Sequence, residues 1–210
     1  MSAARRERQA LVETLGEVGP EAPTLCDGWT TRDLAAHLVV RERRLDATPG
    51  IALPLLAGYT AKVQSQVAQS TSWDDLVEMV ASGPPLYSPF KLLDAVANLG
   101  EMFIHHEDVR RAAHGWQPRG LDASIAAPLR RQLGLMSRLM LRKLPAQVVL
   151  QTPDGDQIAR VGSGSGVPAV TVTGEPQELL LFVAGRDAVL LEFDGDPQTI
   201  AAVRAAPRGL

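Results

Sequence analysis

Leu25-Cys26-Asp27-Gly28-Trp29-Thr30-Thr31-Arg32-Asp33-Leu34-Ala35-Ala36-His37-Leu38 is the stretch from which the fold is best read. A loop rich in glycine, proline and aspartate ends at Gly28. Thr30, with Asp33 three residues on, then forms a capping-box-like helix start. The helix is predicted to run to about Leu45 and to stop before Pro49-Gly50. It sets His37 between Leu34 and Val40, with Asp33 one turn before and Arg41 one turn after. A lone histidine on a half-apolar face is more often a hydrogen-bonded core residue than a ligand, so His37 alone decides nothing about chemistry.

Upstream, Ala3 to Gly16 carries apolar residues at helical spacing and ends at a glycine. Downstream, Ile51 to Gln69 reads as helix despite Pro54 and Gly58, and Trp73 to Ala81 as a short helix capped by Thr71 or Ser72 and ended by Gly83-Pro84-Pro85. Ser88-Pro89 is a strong start signal for a helix reaching about Ala113, with Arg110, Arg111 and His114 near its end and Gly115 as terminator. Asp122 to Leu144 is amphipathic, with Leu129, Leu133, Met136 and Met140 at steps of three and four.

The pattern changes at Pro145. Gln147 to Thr152 and Gln157 to Val161 read as a hairpin about a Pro153-Asp154-Gly155-Asp156 turn. Gly162 to Gly166 reads as a loop; it lacks the Gly-Lys-Ser/Thr ending of a phosphate loop. A strand at Ala169 to Thr173, a helix at Pro176 to Ala184, a strand at Ala188 to Phe193 and a helix at Pro197 to Ala205 follow. The predicted class is α+β: a helical bundle over 1–144 and a small α+β domain over 145–210.

The 210 residues carry a net charge of −3, and no basic block stands out, so a nucleic-acid surface is not expected. Lysine occurs only at Lys62, Lys91 and Lys143, an arginine bias that fits a GC-rich genome. Cys26 is the single cysteine, which rules out an internal disulfide and thiolate-rich zinc sites and suits a reducing cytoplasm. Apolar runs are too short for a membrane span, and Met1 to Gln9 has no signal-peptide core. A cytoplasmic protein with neither membrane nor nucleic-acid partners is expected; oligomeric state is not readable.

The histidines are His37, His105, His106 and His114. Glu101 and His105 lie four residues apart, one turn apart on one helix face, and two such side chains can converge on one ion. Asp94, Asn98 and Asp108 share their stripe; Leu92, Val96, Leu99 and Phe103 lie opposite, and His106 points away from His105. A polar stripe opposite an apolar one is usually solvated. Here Leu93, Met102, Ile104 and Val109 make the flanks apolar too, which favours a central helix whose polar strip needs partners. A catalytic zinc site commonly has three His or carboxylate ligands and an open position. Spacing does not show that His37 meets the Glu101/His105 pair.

Two segments carry a resemblance. Leu25 to Leu38 resembles one signature of the mycothiol-dependent maleylpyruvate isomerase N-terminal family, within the DinB-like superfamily. Glu101-Met102-Phe103-Ile104-His105-His106-Glu107-Asp108-Val109-Arg110-Arg111 resembles its Glu-x-x-x-His-x-x-Asp helix. The tail from Pro145 to Leu210 is similar to the small C-terminal domain often fused to that family. The resemblance implies a DinB-like four-helix bundle with a metal site at one end, held by His37, Glu101 and His105. Other branches of the superfamily have a third histidine in place of Glu101. It also implies a divalent metal, zinc first, with nickel, iron or manganese as alternatives, and mycothiol as cosubstrate. Related enzymes are thiol-dependent isomerases or transferases, in which the metal lowers the pKa of the cofactor sulfur or of a water.

Within that frame Asp108 is the candidate for orienting a ligand, with a surface carboxylate near Arg111 or Ala112 as the equal alternative. Arg186 is the candidate for binding a carboxylate of substrate or thiol cofactor, against the default of a surface arginine. Cys26 reads as a small packing residue, and Trp29 as packing the start of the helix. The expected function is a metal-dependent thiol transferase or isomerase acting on a small electrophile. A non-catalytic metal- or ligand-binding protein, and a structural protein with incidental histidines, are the alternatives.

Overall fold

The computed structural model describes residues 1–51, 53–91, 97–162 and 166–209. The chain divides into two compact units, Met1–Gly120 and Leu121–Leu210.

The first unit is helical. α1 (Ala3–Val18) begins at Ser2, whose hydroxyl accepts from Arg5 N–H, and ends at Gly19 with φ 76°. α2 (Thr31–Arg43) begins with the predicted capping box, Thr30 and Asp33 each satisfying a backbone N–H of the other. Leu34, Ala35, Ala36, Leu38, Val39 and Val40 are all buried, so α2 is enclosed around most of its circumference. Two 3-10 turns, Thr48–Ile51 and Pro54–Leu56, precede α3 (Ala57–Ser70). The helix expected from Ile51 therefore starts six residues later, consistent with Pro54 sitting at a turn start, where its missing N–H costs nothing. α4 (Trp73–Ser82) is capped by Ser72 and ends at Gly83.

α5 (Ala97–Arg110) is the helix of the second signature. Between α4 and α5 a 3-10 turn, Pro89–Lys91, is described. Leu92, Leu93, Asp94 and Val96, placed on the helix by the sequence reading, lie outside the described residues. α1 packs on α5 and α4, and α2 on α3 and α4. Leu11 and Leu15 of α1, Leu34 and Leu38 of α2, Leu76 and Val80 of α4, and Met102 and Val109 of α5 form one core.

The second unit holds α6 (Ala123–Met140) and a four-stranded mixed sheet with two further helices. β1 (Gln147–Gln151) and β2 (Gln157–Val161) pair antiparallel, with Val148 opposite Val161. β3 (Ala169–Thr173) runs parallel to β1 on its other side, and β4 (Glu192–Gly195) antiparallel to β3, giving the order β2-β1-β3-β4. Between β3 and β4 lies α7 (Pro176–Val183); α8 (Pro197–Ala205) follows β4. Val148, Leu150, Val170, Val172, Leu180 and Leu181 are fully buried.

Two features differ from the sequence reading. The last strand starts at Glu192, not Ala188, because the N–H of Leu190 donates to the Glu178 carboxylate at 2.9 Å instead of a neighbouring strand. And α6 packs against α7 and β2, so the compact units divide at Gly120/Leu121, not at the change of pattern near Pro145. Periodicity identifies α6 as amphipathic; it does not say which core receives its apolar face. Among the described residues no helix is long and apolar enough to cross a membrane.

Candidate metal centre

His37 comes from α2; Glu101 and His105 come from successive turns of α5. One ligand atom from each lies within 4.8 Å of the other two. His37 Nε2 stands 3.5 Å from Glu101 Oε1, and His105 Nε2 stands 3.4 Å from the same oxygen. Charge-assisted N–H···O⁻ bonds are shorter, about 2.7–2.9 Å. Two donors that share a tetrahedral ion through bonds near 2.1 Å are separated by about 3.4 Å, the spacing found here. The two rings meet edge to face with centroids 5.2 Å apart, and Trp29 stacks at a tilt on His37, also at 5.2 Å.

The outer nitrogen of each ring is engaged. His37 Nδ1 donates to Gln64 Oε1 at 3.3 Å, and Gln64 Nε2 donates to the carbonyl of Asp33 at 3.4 Å. His105 Nδ1 donates to Asp108 Oδ2 at 2.9 Å. With each Nδ1 proton engaged in these contacts, the neutral form of each ring offers its Nε2 lone pair to the centre, as in metal-binding histidines fixed by an outer partner. The donor set therefore fits a divalent ion such as zinc.

Charge is balanced from the other side of Glu101. Arg41 Nε lies 3.2 Å from Oε1, and Arg41 Nη1 donates to Asn98 Oδ1 at 2.7 Å. Glu101 is the most open of the three candidate ligands, its side chain 24% exposed against 11% for His37 and 10% for His105. Burial pushes His37 below its ordinary 6.5, and contact with Glu101 offsets this only in part. Burial acts the same way on His105, but its bonds to Asp108, Cys26 and Glu101 outweigh it and hold the ring well above 6.5. Burial alone would raise Glu101; His105, His37 and Arg41 together hold it well below 4.5.

A second group, Cys26, His105 and Asp108, shares His105. Cys26 Sγ donates to Asp108 Oδ2 at 3.3 Å, and Leu25 N–H donates to the Asp108 carbonyl at 3.0 Å. These side chains already form a hydrogen-bonded chain, with the Cys26 S–H and the His105 Nδ1–H both donating to Asp108 Oδ2. The lone pairs that face a carboxylate without a short hydrogen bond belong to the first group, which is the better candidate.

Asp108 is fully buried beside His105, not at the surface near Ala112. His106 faces away from the centre: its Nδ1 donates to Glu7 Oε1 at 2.8 Å and its Nε2 accepts from Thr14 Oγ1 at 3.0 Å. Arg186 lies in the second unit, and its Nη1 donates to the carbonyl of Ala184 at 2.6 Å. Three contributors were not singled out as site residues. Arg41 sits four residues after His37, so helical spacing alone places it on the same face. Gln64 and the Cys26–Asp108 contact depend on tertiary packing and leave no spacing signal. A polar cavity of about 640 Å³ opens beside Thr30, Asp33 and Gln69; none of the three candidate ligands lines it.

A model of the mycothiol maleylpyruvate isomerase N-terminal domain family matches residues 1–133. No curated protein and no solved structure gives a match. The match takes in both signature segments, all of α1 to α5 and the three residues that converge at Glu101 Oε1, and covers well over half of the chain. The chain belongs to the mycothiol maleylpyruvate isomerase N-terminal domain family.

Proposed function

We propose that this chain holds one divalent metal ion, zinc first, through His37, Glu101 and His105, and acts as a metal-dependent thiol transferase or isomerase on a small electrophile. The observation that carries the reading is the convergence of His37 Nε2 and His105 Nε2 on Glu101 Oε1, with each Nδ1 held by Gln64 or Asp108. Three protein ligands of this type leave a position for a small molecule. When bound, the ion supplies Lewis acidity, which favours the thiolate form of a thiol such as mycothiol at neutral pH.

The chain's own groups prepare that chemistry. Gln64 and Asp108 fix the ring orientations and hold the Nδ1 protons. Glu101 contributes one negative charge and Arg41 offsets it, so an ion with two neutral imidazoles keeps a positive centre suited to an anionic partner. Trp29 covers one face of His37 and lowers water access from that side.

Metal analysis of untagged protein tests the ligand set: near-stoichiometric metal in the wild type, lost in His37→Ala and His105→Ala. Unchanged metal in those variants would overturn it. Metal-loaded protein is then incubated with mycothiol and a panel of electrophiles. Thiol-dependent turnover supports the enzyme; metal retained with neither turnover nor thiol binding supports a non-catalytic metal-binding protein of the same fold.

A further inference from the structure

Arg41 is only 8% exposed and is packed with its guanidinium carbon 4.3 Å from the centre of the Phe90 ring. Its Nη1 is fixed by Asn98 Oδ1 at 2.7 Å, and Asn98 Nδ2 in turn donates to the Phe90 carbonyl at 3.4 Å. The group is thus held by the Phe90 ring and by Asn98. Nε and Nη2 share the other edge of the guanidinium, the fork that matches a carboxylate. Nε is at Glu101 Oε1, 3.2 Å away, so Nη2 presents its N–H on the same side as that ligand. Among the described residues Nη2 has no hydrogen-bond partner, and it is not among the polar atoms sealed from solvent without one.

We infer that Arg41 is a binding determinant for a carboxylate group on the small molecule that occupies the centre, its Nη2 donating to a carboxylate oxygen beside Glu101. This rests on the metal-centre reading above and adds the ligand chemistry: a carboxylate, on either the thiol or the electrophile. A rigid, buried cation whose Nη2 is unpartnered next to a ligand oxygen is pre-organised for such a bond and loses little entropy in making it. Nothing in this assignment requires the second unit.

Calorimetric titration of the zinc-loaded chain tests it with four probes: N-acetylcysteine, its carboxylate-free counterpart N-acetylcysteamine, succinate, and the neutral succinamide. In Arg41→Met the metal content should stay at the wild-type level while carboxylate probes bind about ten- to a hundredfold more weakly, the worth of one charge-assisted hydrogen bond. N-acetylcysteamine should be unaffected. Weakening of N-acetylcysteine alone places the carboxylate on the thiol; weakening of succinate alone places it on the electrophile. Equal binding of every probe by wild type and Arg41→Met overturns the assignment. Should Arg41→Met fail to fold, the wild type decides: the assignment fails if neither carboxylate probe binds more tightly than its neutral counterpart. A wild type that holds no metal defeats the metal-centre reading instead, a distinct outcome.

Discussion

Asp108 accepts from His105 Nδ1 across 2.9 Å, while the other nitrogen of that ring faces Glu101 Oε1 at 3.4 Å. Asp108 therefore sets both the tilt and the protonation pattern of His105, a candidate ligand. Asp108→Asn keeps an oxygen acceptor and the side-chain volume but removes the charge. Zinc affinity, measured by competition with a chromophoric chelator, should fall by about ten- to a hundredfold, with far-ultraviolet dichroism unchanged. An affinity equal to wild type would show that Asp108 has only a packing role.

The same contact gives metal binding and metal-free stability opposite pH dependences. A proton on His105 Nε2 competes with the ion, and this ring's pKa is held well above 6.5. Zinc affinity should therefore keep rising as pH increases past the ordinary histidine range, and metal should be released as pH falls. In the metal-free chain the sign reverses. A folded pKa above the unfolded value gives stability that is full below about 6.5 and lost as pH rises through the higher folded value. Melting curves of metal-free and zinc-loaded protein across this range should diverge with increasing pH. Zinc affinity that levels off below pH 6.5 would contradict the raised pKa.

How far the centre was legible follows from the kind of contact each residue makes. Thr30 and Asp33 are three residues apart, and the capping box they form is local, so the start of α2 could be placed to within a residue, while its end at Arg43 falls about two residues before the expected Leu45. Glu101 and His105 are one turn apart, and their shared face follows from helix geometry. His37 reaches them across 64 positions, and only the resemblance between two signatures joined it to the pair. Gln64 and Cys26 meet the histidines and Asp108 through packing of separate segments, which no periodicity encodes. The unit boundary escaped for the same reason: α6 looks like any amphipathic helix, and its partners α7 and β2 come later in the chain.

Behind α5, a charged cluster ties that helix to α1. Glu7 is 1% exposed and pairs with His106 and Arg119; Arg119 also reaches Glu107, which takes Arg110 and Arg111 as well. Removing the Glu7 charge takes the anionic acceptor from His106 and leaves Arg119 with a carboxylate only at Glu107. Glu7→Gln should cost about 3 kcal/mol in urea unfolding. Burial would raise both carboxyls, but their histidine and arginine partners prevail and hold them below 4.5. Folded values below the unfolded one give stability that is full above about pH 4.5 and lost as pH falls through the folded values. Glu7→Gln should flatten this acid limb, and a limb as steep as in the wild type would exclude Glu7 from it.

Thr30 links helix initiation to the centre. Its backbone N–H and its hydroxyl both donate to Asp33 Oδ2, at 3.0 and 2.8 Å, and its hydroxyl oxygen accepts from Asp33 N–H at 3.4 Å. The Asp33 carbonyl then holds Gln64, which holds His37 Nδ1. Thr30→Ala removes the cap and should lower stability by about 1 kcal/mol, seen as a lower urea midpoint at constant slope. Fraying of the first turn displaces the Asp33 carbonyl and so loosens Gln64, while Trp29 and His105 still hold His37 from two sides. Zinc affinity should therefore fall by less than about tenfold, a smaller loss than in Asp108→Asn, whose contact to the ligand is direct. A larger loss in Thr30→Ala than in Asp108→Asn would mean that the start of α2, not the carboxylate behind His105, governs the geometry of the centre.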